Sequence, residues 1–570
     1  MGSIHSMVAK LPHGRNAADA QLISSNYVSS EKDTMVSLLA AREPYSQEDL
    51  NMMQILLYND DEPDERYWFY QEGFLHPVQL GDQLCDGRYT IINKLGNGSF
   101  STVWLAHDEV LSRKVAIKIA CAEAERESDE FPSDEHGILQ RLRGNPASNP
   151  GVEVIHPCLD TFTMQGPNGR HRCFVSDPTC INLSQSKFRS EPNWLFRLNV
   201  ARALVAQLIQ GVAYMHSQGV VHGGKSHTNH LFGNLLLALP DEELSKRSVR
   251  DLYTSFGLPQ QYPVDICKKV SDFDEPIPEN APPYLVGKMY FNDKHAHKLR
   301  LSDAKLRISD FGESWRPAEH DRYELNIPEQ SRAPEALVAK KLRKPIGFPA
   351  DVWALGCVTV ELYARYSVFQ TYFPGFEEVW AEVVHVLGKP PQTWLDASNA
   401  DIDSGNNDNG SNPDNETPRH RDPTTLSDHI VQLIDKDRSE KLIGIWDDGD
   451  EDEKIPPGEL RDLLLMLEQI FCWLPEDRIR AEDLMKGDWM KNWGLPAIEA
   501  MEKAYKEKSE VTKQTSASSG SGSESNTMHH GKTDRPVNET RHGAIRGLFK
   551  AARWGLGTGV WLWLERALEI

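Results

Sequence analysis

The sequence predicts an α+β protein in two lobes, a small β-rich one followed by a larger, mainly helical one. Three observations carry this. Short runs rich in β-branched residues, Tyr89-Thr90-Ile91-Ile92, Ser101-Thr102-Val103-Trp104-Leu105 and Val115-Ala116-Ile117-Lys118-Ile119, crowd the first third of the regular chain around a glycine turn. Residues 194–216 then read as one long helix, with Leu204, Leu208, Val212 and Met215 recurring on one face. A hydrophobic content of 39% over 570 residues is enough for a sizeable core, so most of the chain is expected to fold.

The flanks read differently. Residues 1–65 are polar and mixed and are expected to be mostly disordered, with a short helix near Asp49 to Leu57. The β-rich lobe is assigned to 66–178 and the helical lobe to 179–495. Two stretches within the second lobe read as insertions, one at about 240–304, rich in charge and proline, and one at 397–423, rich in Asn, Asp and Gly. Residues 496–545 read as a flexible tail and 546–570 as an apolar, aromatic end segment. No internal repeat is visible.

Composition limits the function. The formal net charge of −22 argues against direct binding of nucleic acid, which needs clustered Lys and Arg, and suits a basic partner. The acidic run from Asp447 to Glu453 reads as a solvated loop, with a contact patch for a basic partner as the alternative. The eight cysteines are scattered, with no CxxC pair, as expected of reduced thiols in a cytoplasmic or nuclear protein. No signal peptide and no spanning apolar run is visible, so a membrane partner is not expected. Met1-Gly2-Ser3-Ile4-His5-Ser6 matches the myristoylation pattern formally, without a polybasic stretch to reinforce it. A monomer is expected.

The chemistry begins at Leu95-Gly96-Asn97-Gly98-Ser99-Phe100-Ser101-Thr102-Val103. Phosphate oxygens need backbone N–H groups at close range, which glycine allows. Val103 and Ala116 would cover a purine, and Lys118 would supply a fixed charge to the phosphates. Glu135 has the spacing of a helix carboxylate that holds that lysine. The strand Cys173-Phe174-Val175-Ser176-Asp177-Pro178 would lead into a hinge, with Ser176 facing the purine and Asp177 beside it. Asp310, in Arg307-Ile308-Ser309-Asp310-Phe311-Gly312, ends a strand and offers the hard oxygen that Mg²⁺ prefers. Further on stand Ala333-Pro334-Glu335, Asp351-Val352-Trp353 and Pro475-Glu476-Asp477-Arg478, with Glu335 and Arg478 expected to pair. In this order the motifs resemble those of the bilobal eukaryotic protein-kinase fold, which implies ATP and Mg²⁺ as cofactors.

Beyond the general pattern, the chain resembles the SR-protein kinases, especially fungal ones. The resemblance rests on Glu72-Gly73-Phe74-Leu75-His76-Pro77-Val78, on Phe100 to Ala106, on Gly166-Pro167-Asn168-Gly169-Arg170-His171, and on Leu301-Ser302-Asp303-Ala304-Lys305 running into Ser309-Asp310-Phe311-Gly312-Glu313. It covers about residues 66–495. It implies serine/threonine phosphorylation of basic, Ser/Arg-rich proteins, including regulators of mRNA splicing.

One motif departs from the family. Such kinases carry His-x-Asp in the catalytic loop and an Asn five residues after the Asp. Aligned from His222-Gly223-Gly224, the Asp position is Gly224. Aligned backwards from Asn234, the Mg²⁺-binding Asn of the resemblance, it is Asn229. Both readings lack the carboxylate that orients the substrate hydroxyl, and asparagine cannot take a proton. The alternatives are an intact kinase whose gene model retains intron-derived codons in this loop, a pseudokinase that binds nucleotide through Lys118, Asp310 and Asn234 and works as a scaffold, and a slow kinase. Activation through loop phosphorylation is not expected, because the Arg that usually precedes the Asp is missing.

Overall fold

The computed structural model describes residues 31–40, 65–98, 100–122, 134–144, 147–190, 194–224, 231–238, 244, 247–270, 275–289, 295–370, 376–402, 425–439 and 454–518. The first lobe is an antiparallel sheet of β1 (Gln83–Leu84), β2 (Tyr89–Gly98), β3 (Ser101–Asp108), β4 (Arg113–Ala122), β5 (Cys158–Gly166) and β6 (Gly169–Ser176), in the order β1-β2-β3-β4-β6-β5. Because side chains alternate along a strand, the register places Val103, Lys118 and Phe174 in one row on the lower face. Trp104, Ile117 and Val175 fall on the upper face, inside a second hydrophobic core. The strands extend past the sequence expectation at both ends, because ladder pairing continues through Asn97↔Thr102 and Asp108↔Arg113.

Helix α1 (Glu31–Ala40) precedes the sheet, and α2 (Glu135–Arg141) follows β4. Asp134 caps α2, its carboxylate accepting from the Gly137 N–H. The second lobe opens with β7 (Thr179–Asn182), α3 (Leu183–Phe188) and α4 (Leu198–Ser217), then β8 (Leu235–Ala238), which pairs with β7 and with β11 (Leu306–Ile308). Helix α4 starts at Leu198 rather than at residue 194, since Trp194 has a left-handed backbone with φ 49°. It is buried on almost every side, as a central helix should be. The other central helix, α5 (Phe348–Tyr363), carries Pro349 in its first turn, where the missing N–H costs nothing. A Cβ at Gly356 would meet Ile470 Cγ2 at 2.5 Å, so glycine lets α5 pack against α6 (Pro457–Ile470).

Two expectations are corrected, and the content of a third stretch is filled in. Part of the stretch read as disordered is α1, whose Met35 and Leu38 are buried and whose Glu31 accepts from the Val249 N–H. The stretch read as an insertion at 240–304 contributes the helices Val249–Phe256 and Val264–Val270 and the hairpin of β9 (Gln261–Pro263) and β10 (Tyr284–Val286). It packs on the first lobe: Val286 joins the core under Trp104, and the Tyr253 hydroxyl donates to the Ile92 carbonyl at 2.9 Å. The expected tail begins as the helix Leu495–Ser518, with Ile498 and Met501 buried and Lys508 bonded to Asp303. The helix expected near Asp49–Leu57, most of the 397–423 loop, the acidic run 447–453 and the segment 546–570 lie outside the described residues.

Candidate active site

The two lobes enclose a cleft of about 650 Å³. Its roof is the lower face of the sheet, where Leu95, Gly96, Asn97, Gly98, Val103, Ala116 and Lys118 all line it. Its floor is supplied by Asn182, Asn234 and Leu236 from β7, β8 and the turn before β8. The rear is closed by Glu135 and Leu139 from α2 and by Phe174 and Ser176 from β6.

At the centre stands Lys118. Its Nζ donates to both Glu135 carboxylate oxygens, at 2.9 and 3.1 Å, and to Asp310 Oδ1 at 2.8 Å. The sequence therefore identified the helix partner among several nearby acids. Burial alone would lower the pKa of this lysine, but Asp310 and then Glu135 outweigh it, and the net shift is upward. Lys118 is a permanent cation across the working pH range. Asp310 sits at φ 62°, a left-handed backbone sparsely used outside glycine and found where function over-determines a residue. The neighbouring Ser309 fixes the end of β11 by donating its N–H and Oγ to the Asn234 carbonyl, at 2.9 and 3.1 Å. Asn234 and Asp310 thus enter the cleft together, as hard oxygen donors beside a phosphate-seeking cation. That donor set fits Mg²⁺ with a nucleotide.

The catalytic-loop backbone is anchored from below. Buried Asp351 of α5 accepts from the His222 N–H at 2.8 Å and the Gly223 N–H at 3.1 Å, and it pairs with His216 at 3.1 Å. Burial pushes the Asp351 carboxyl up, yet His216 and the loop donors more than offset this and hold it below the usual carboxylate range. His222 Nδ1 accepts from the Gly224 N–H, so Nε2 is left to donate to the Ser309 carbonyl at 3.1 Å. The ring also meets Phe311 edge-on at 5.2 Å. His222 is therefore committed to tying the loop to the Asp310 strand, and it is not available as a base. Gly223 takes φ 68°, and a Cβ there would strike the Trp315 ring at 2.5 Å. Gly224 follows at φ 31°, and no carboxylate stands at its position.

The remaining expectations resolve individually. Glu335 and Arg478 form a buried, doubly bonded pair at 2.8 and 3.0 Å, and Arg478 also reaches the Pro349 and Cys472 carbonyls. Asp177 is a correction: it does not line the cleft but turns to Arg113 at 3.2 Å. Arg113, at the start of the neighbouring strand β4, holds it there. Ser99 and Asn229 lie outside the described residues. Sequence reading missed Glu65, Arg66 and Phe69 before β1, and Lys288 in the insertion, all of which line the cleft wall. Burial lowers the Lys288 pKa to about 8. No local signal marks these residues, because only the packing of the insertion on β2 brings them there.

Comparison with known proteins agrees with this geometry. The protein kinase domain model matches residues 89–231. A serine/threonine protein kinase of Aspergillus fumigatus is 24% identical over 336 residues, covering 58% of this chain and 72% of that protein. Human SRSF protein kinase 3 is 34% identical over 190 residues, 33% of this chain and 32% of that protein. Protein kinase dsk1 of Schizosaccharomyces pombe is 36% identical over 155 residues, 27% of this chain and 28% of that protein. The matched part thus spans about a third of the length of the latter two relatives. A two-lobed cleft with a lysine gripped by a helix glutamate and a strand-end aspartate accompanies these matches, so residues 89–231 are similar to a protein kinase domain and the chain is similar in part to SRSF protein kinase 3 and to protein kinase dsk1.

Proposed function

We propose that the chain is an ATP- and Mg²⁺-dependent serine/threonine protein kinase of SR-protein-kinase type, acting on basic, Ser/Arg-rich proteins in the nucleus or cytoplasm. The observation that carries this is the assembled triad of Lys118, Glu135 and Asp310 beneath the glycine hairpin. Gly96 and Gly98 bring backbone close to phosphate. Lys118 neutralises phosphate charge and is itself held by Glu135. Asp310 and Asn234 hold Mg²⁺, which when bound withdraws charge from the transferring phosphoryl group. The acidic chain attracts a basic substrate over distance.

The step without an assigned residue is orientation of the substrate hydroxyl. Losing a general base typically costs about 10²- to 10⁴-fold in rate. Phosphoryl transfer depends mainly on positioning and electrostatics, so a slow reaction survives that loss. Gly224 beside the fully committed His222 favours a second reading, in which the chain grips nucleotide and serves as a scaffold without transfer.

One assay separates the two: purified protein, labelled ATP with Mg²⁺ and an Arg-Ser repeat peptide, against Lys118→Met. Transfer above that control supports the kinase. Absence of transfer together with a nucleotide-dependent rise in Tm supports the scaffold. Absence of both overturns the two readings together.

A further inference from the structure

Away from the cleft, two buried imidazoles meet where the segment before β1 crosses the β5–β6 hairpin. His76 and His171 lie with ring centroids 4.9 Å apart, and neither lines the cleft. His171 is fully buried and His76 nearly so. The Nδ1 of His171 stands 2.9 Å from the Ala120 carbonyl. A carbonyl oxygen accepts and does not donate, so Nδ1 carries the ring proton and Nε2 keeps a bare lone pair. That nitrogen is buried and meets no hydrogen-bond partner among the described residues. His76 Nδ1 is buried and unpartnered in the same way. Burial lowers the pKa of both rings, that of His76 to about 4, so both are neutral at physiological pH. The two edges border one space. A Cβ built on Gly166 would lie 2.3 Å from His76 Nδ1 and 3.4 Å from His171 Cδ2, the carbon bonded to Nε2. Glycine at 166 keeps that space open.

A third donor follows from register. Met164 stands directly opposite His171 across β5 and β6, so the two side chains share the upper face of the sheet with Cβ atoms about 5 Å apart. Met164 packs, partly buried, against the upper core. Its thioether is carried on three rotatable bonds, which lets it adapt to a neighbouring ligand. No group of three His, Cys, Asp or Glu converges to hold a metal among the described residues. The donor set above Gly166 is of another kind: two neutral imidazoles and a thioether, without a negative charge. Such a set is soft, and softness favours Cu(I) over Zn²⁺ or Mg²⁺.

We propose that His76, His171 and Met164 bind one copper(I) ion above Gly166, on the upper side of the first lobe. The frame for it is already in place. Ala120 holds His171 in the ligating tautomer, as backbone carbonyls do for metal-bound histidines. The segment that carries His76 is tied to the hairpin from both sides. The Asn168 side chain donates to the Leu75 carbonyl at 2.6 Å, and the Gly73 N–H donates to the Asn168 carbonyl at 2.8 Å. A bound ion adds a staple between that segment and the hairpin. The site uses none of the nucleotide-gripping residues, so it stands or falls apart from the proposed function.

The test is anaerobic titration of the full chain with Cu(I) in competition with bicinchoninate, with X-ray absorption at the copper edge reporting the donor atoms. The wild type is expected to take up one equivalent with two nitrogen neighbours and one sulphur neighbour. Met164→Leu conserves volume, and it is expected to weaken that equivalent by at least about tenfold. His76→Phe is expected to abolish it, with circular dichroism confirming that each variant is folded; Met164→Leu carries the test if His76→Phe is not. Excess Zn²⁺ is expected not to displace the copper. A shell of sulphur alone would put the copper on cysteine thiols and overturns the site. So does an affinity left unchanged in either folded variant, displacement by Zn²⁺, or failure of the wild type to bind against bicinchoninate.

Discussion

At the scale of single residues, Lys118 sets what the cleft can hold. Three charge-assisted bonds fix its Nζ, so its charge is in place before any ligand arrives. Lys118→Met removes that charge, and the dissociation constant for Mg²⁺-ADP is expected to rise by at least about tenfold, measured by calorimetry. Gly224 is the other decisive residue. At φ 31° aspartate is tolerated better than most side chains, and the nearest obstacle to a Cβ is Ile327 Cγ2 at 3.1 Å. Gly224→Asp is expected to cost about 1 kcal/mol of stability and to raise phosphotransfer to an Arg-Ser peptide by about 10²-fold, with ADP affinity unchanged. An unchanged rate would place the missing carboxylate elsewhere in the loop. A pair of histidines adds a pH response. His76 and His171 meet at 4.9 Å, and burial, followed by repulsion from His171, lowers the His76 pKa from 6.5 to about 4. Burial also lowers that of His171. The unfolded chain binds these protons first, so stability is full above pH 6.5 and declines as pH falls towards about 4. A loss of about 2 kcal/mol by pH 4.5 is expected from urea melts, and His76→Phe should flatten that dependence.

At the scale of elements, the glycine hairpin is held from its upper side by chain that comes from far away. Lys94 of β2 is fully buried and pairs with Glu65, which also accepts from the Tyr70 hydroxyl at 3.1 Å. Burial lowers the Lys94 pKa, and Glu65 pulls against that shift. The Met289 N–H donates to the Lys94 carbonyl at 2.8 Å, and Lys288 bridges β2 beside it. The upper face of β2 is thereby tied to both the segment before β1 and the insertion. Glu65→Ala would strand a buried ammonium, and a loss of about 3 kcal/mol is expected from chemical denaturation. The double replacement Lys94→Met with Glu65→Leu should cost far less, because a buried pair is weakly stabilising relative to a well-packed apolar one. A double variant as unstable as the single one would mean that the pair contributes more than the avoidance of an orphaned charge.

At the scale of the molecule, two central helices organise the second lobe and reach the 222–224 loop through the Asp351 carboxylate of α5 and its partner His216 of α4. Helix α5 presents Asp351 to the catalytic loop at one end. Its Trp353 stacks on Phe369 at 5.3 Å and meets Phe471 edge-on. Arg478 lies over the same tryptophan while gripping Glu335. Site and scaffold therefore share one core. The stretch 240–304 belongs to that whole. Its Val286 enters the upper core of the first lobe, and Leu285, Val264 and Ile266 form a third core with Tyr67 and Tyr70. Replacing residues 240–304 by a short Gly/Ser linker is expected to lower Tm by at least about 5 °C and to weaken nucleotide binding. A stretch that only decorates the surface would leave both unchanged.

The sequence by itself determined the strands of the first lobe, the long central helix and several residues that line the cleft, because each is written in a local period or a short motif. Gly96, Lys118, Glu135, Asn234 and Asp310 are legible for that reason. Alternation and helical repeats are properties of neighbouring residues, and phosphate chemistry confines glycine, lysine and aspartate to fixed spacings. Tertiary structure alone decided that Asp177 faces Arg113, that Glu65 neutralises Lys94, and that a charged, proline-rich stretch closes the upper face of the sheet. Those outcomes depend on which surfaces meet in space, and a partner 29 residues away for Lys94 or 64 residues away for Asp177 leaves no period in the local sequence.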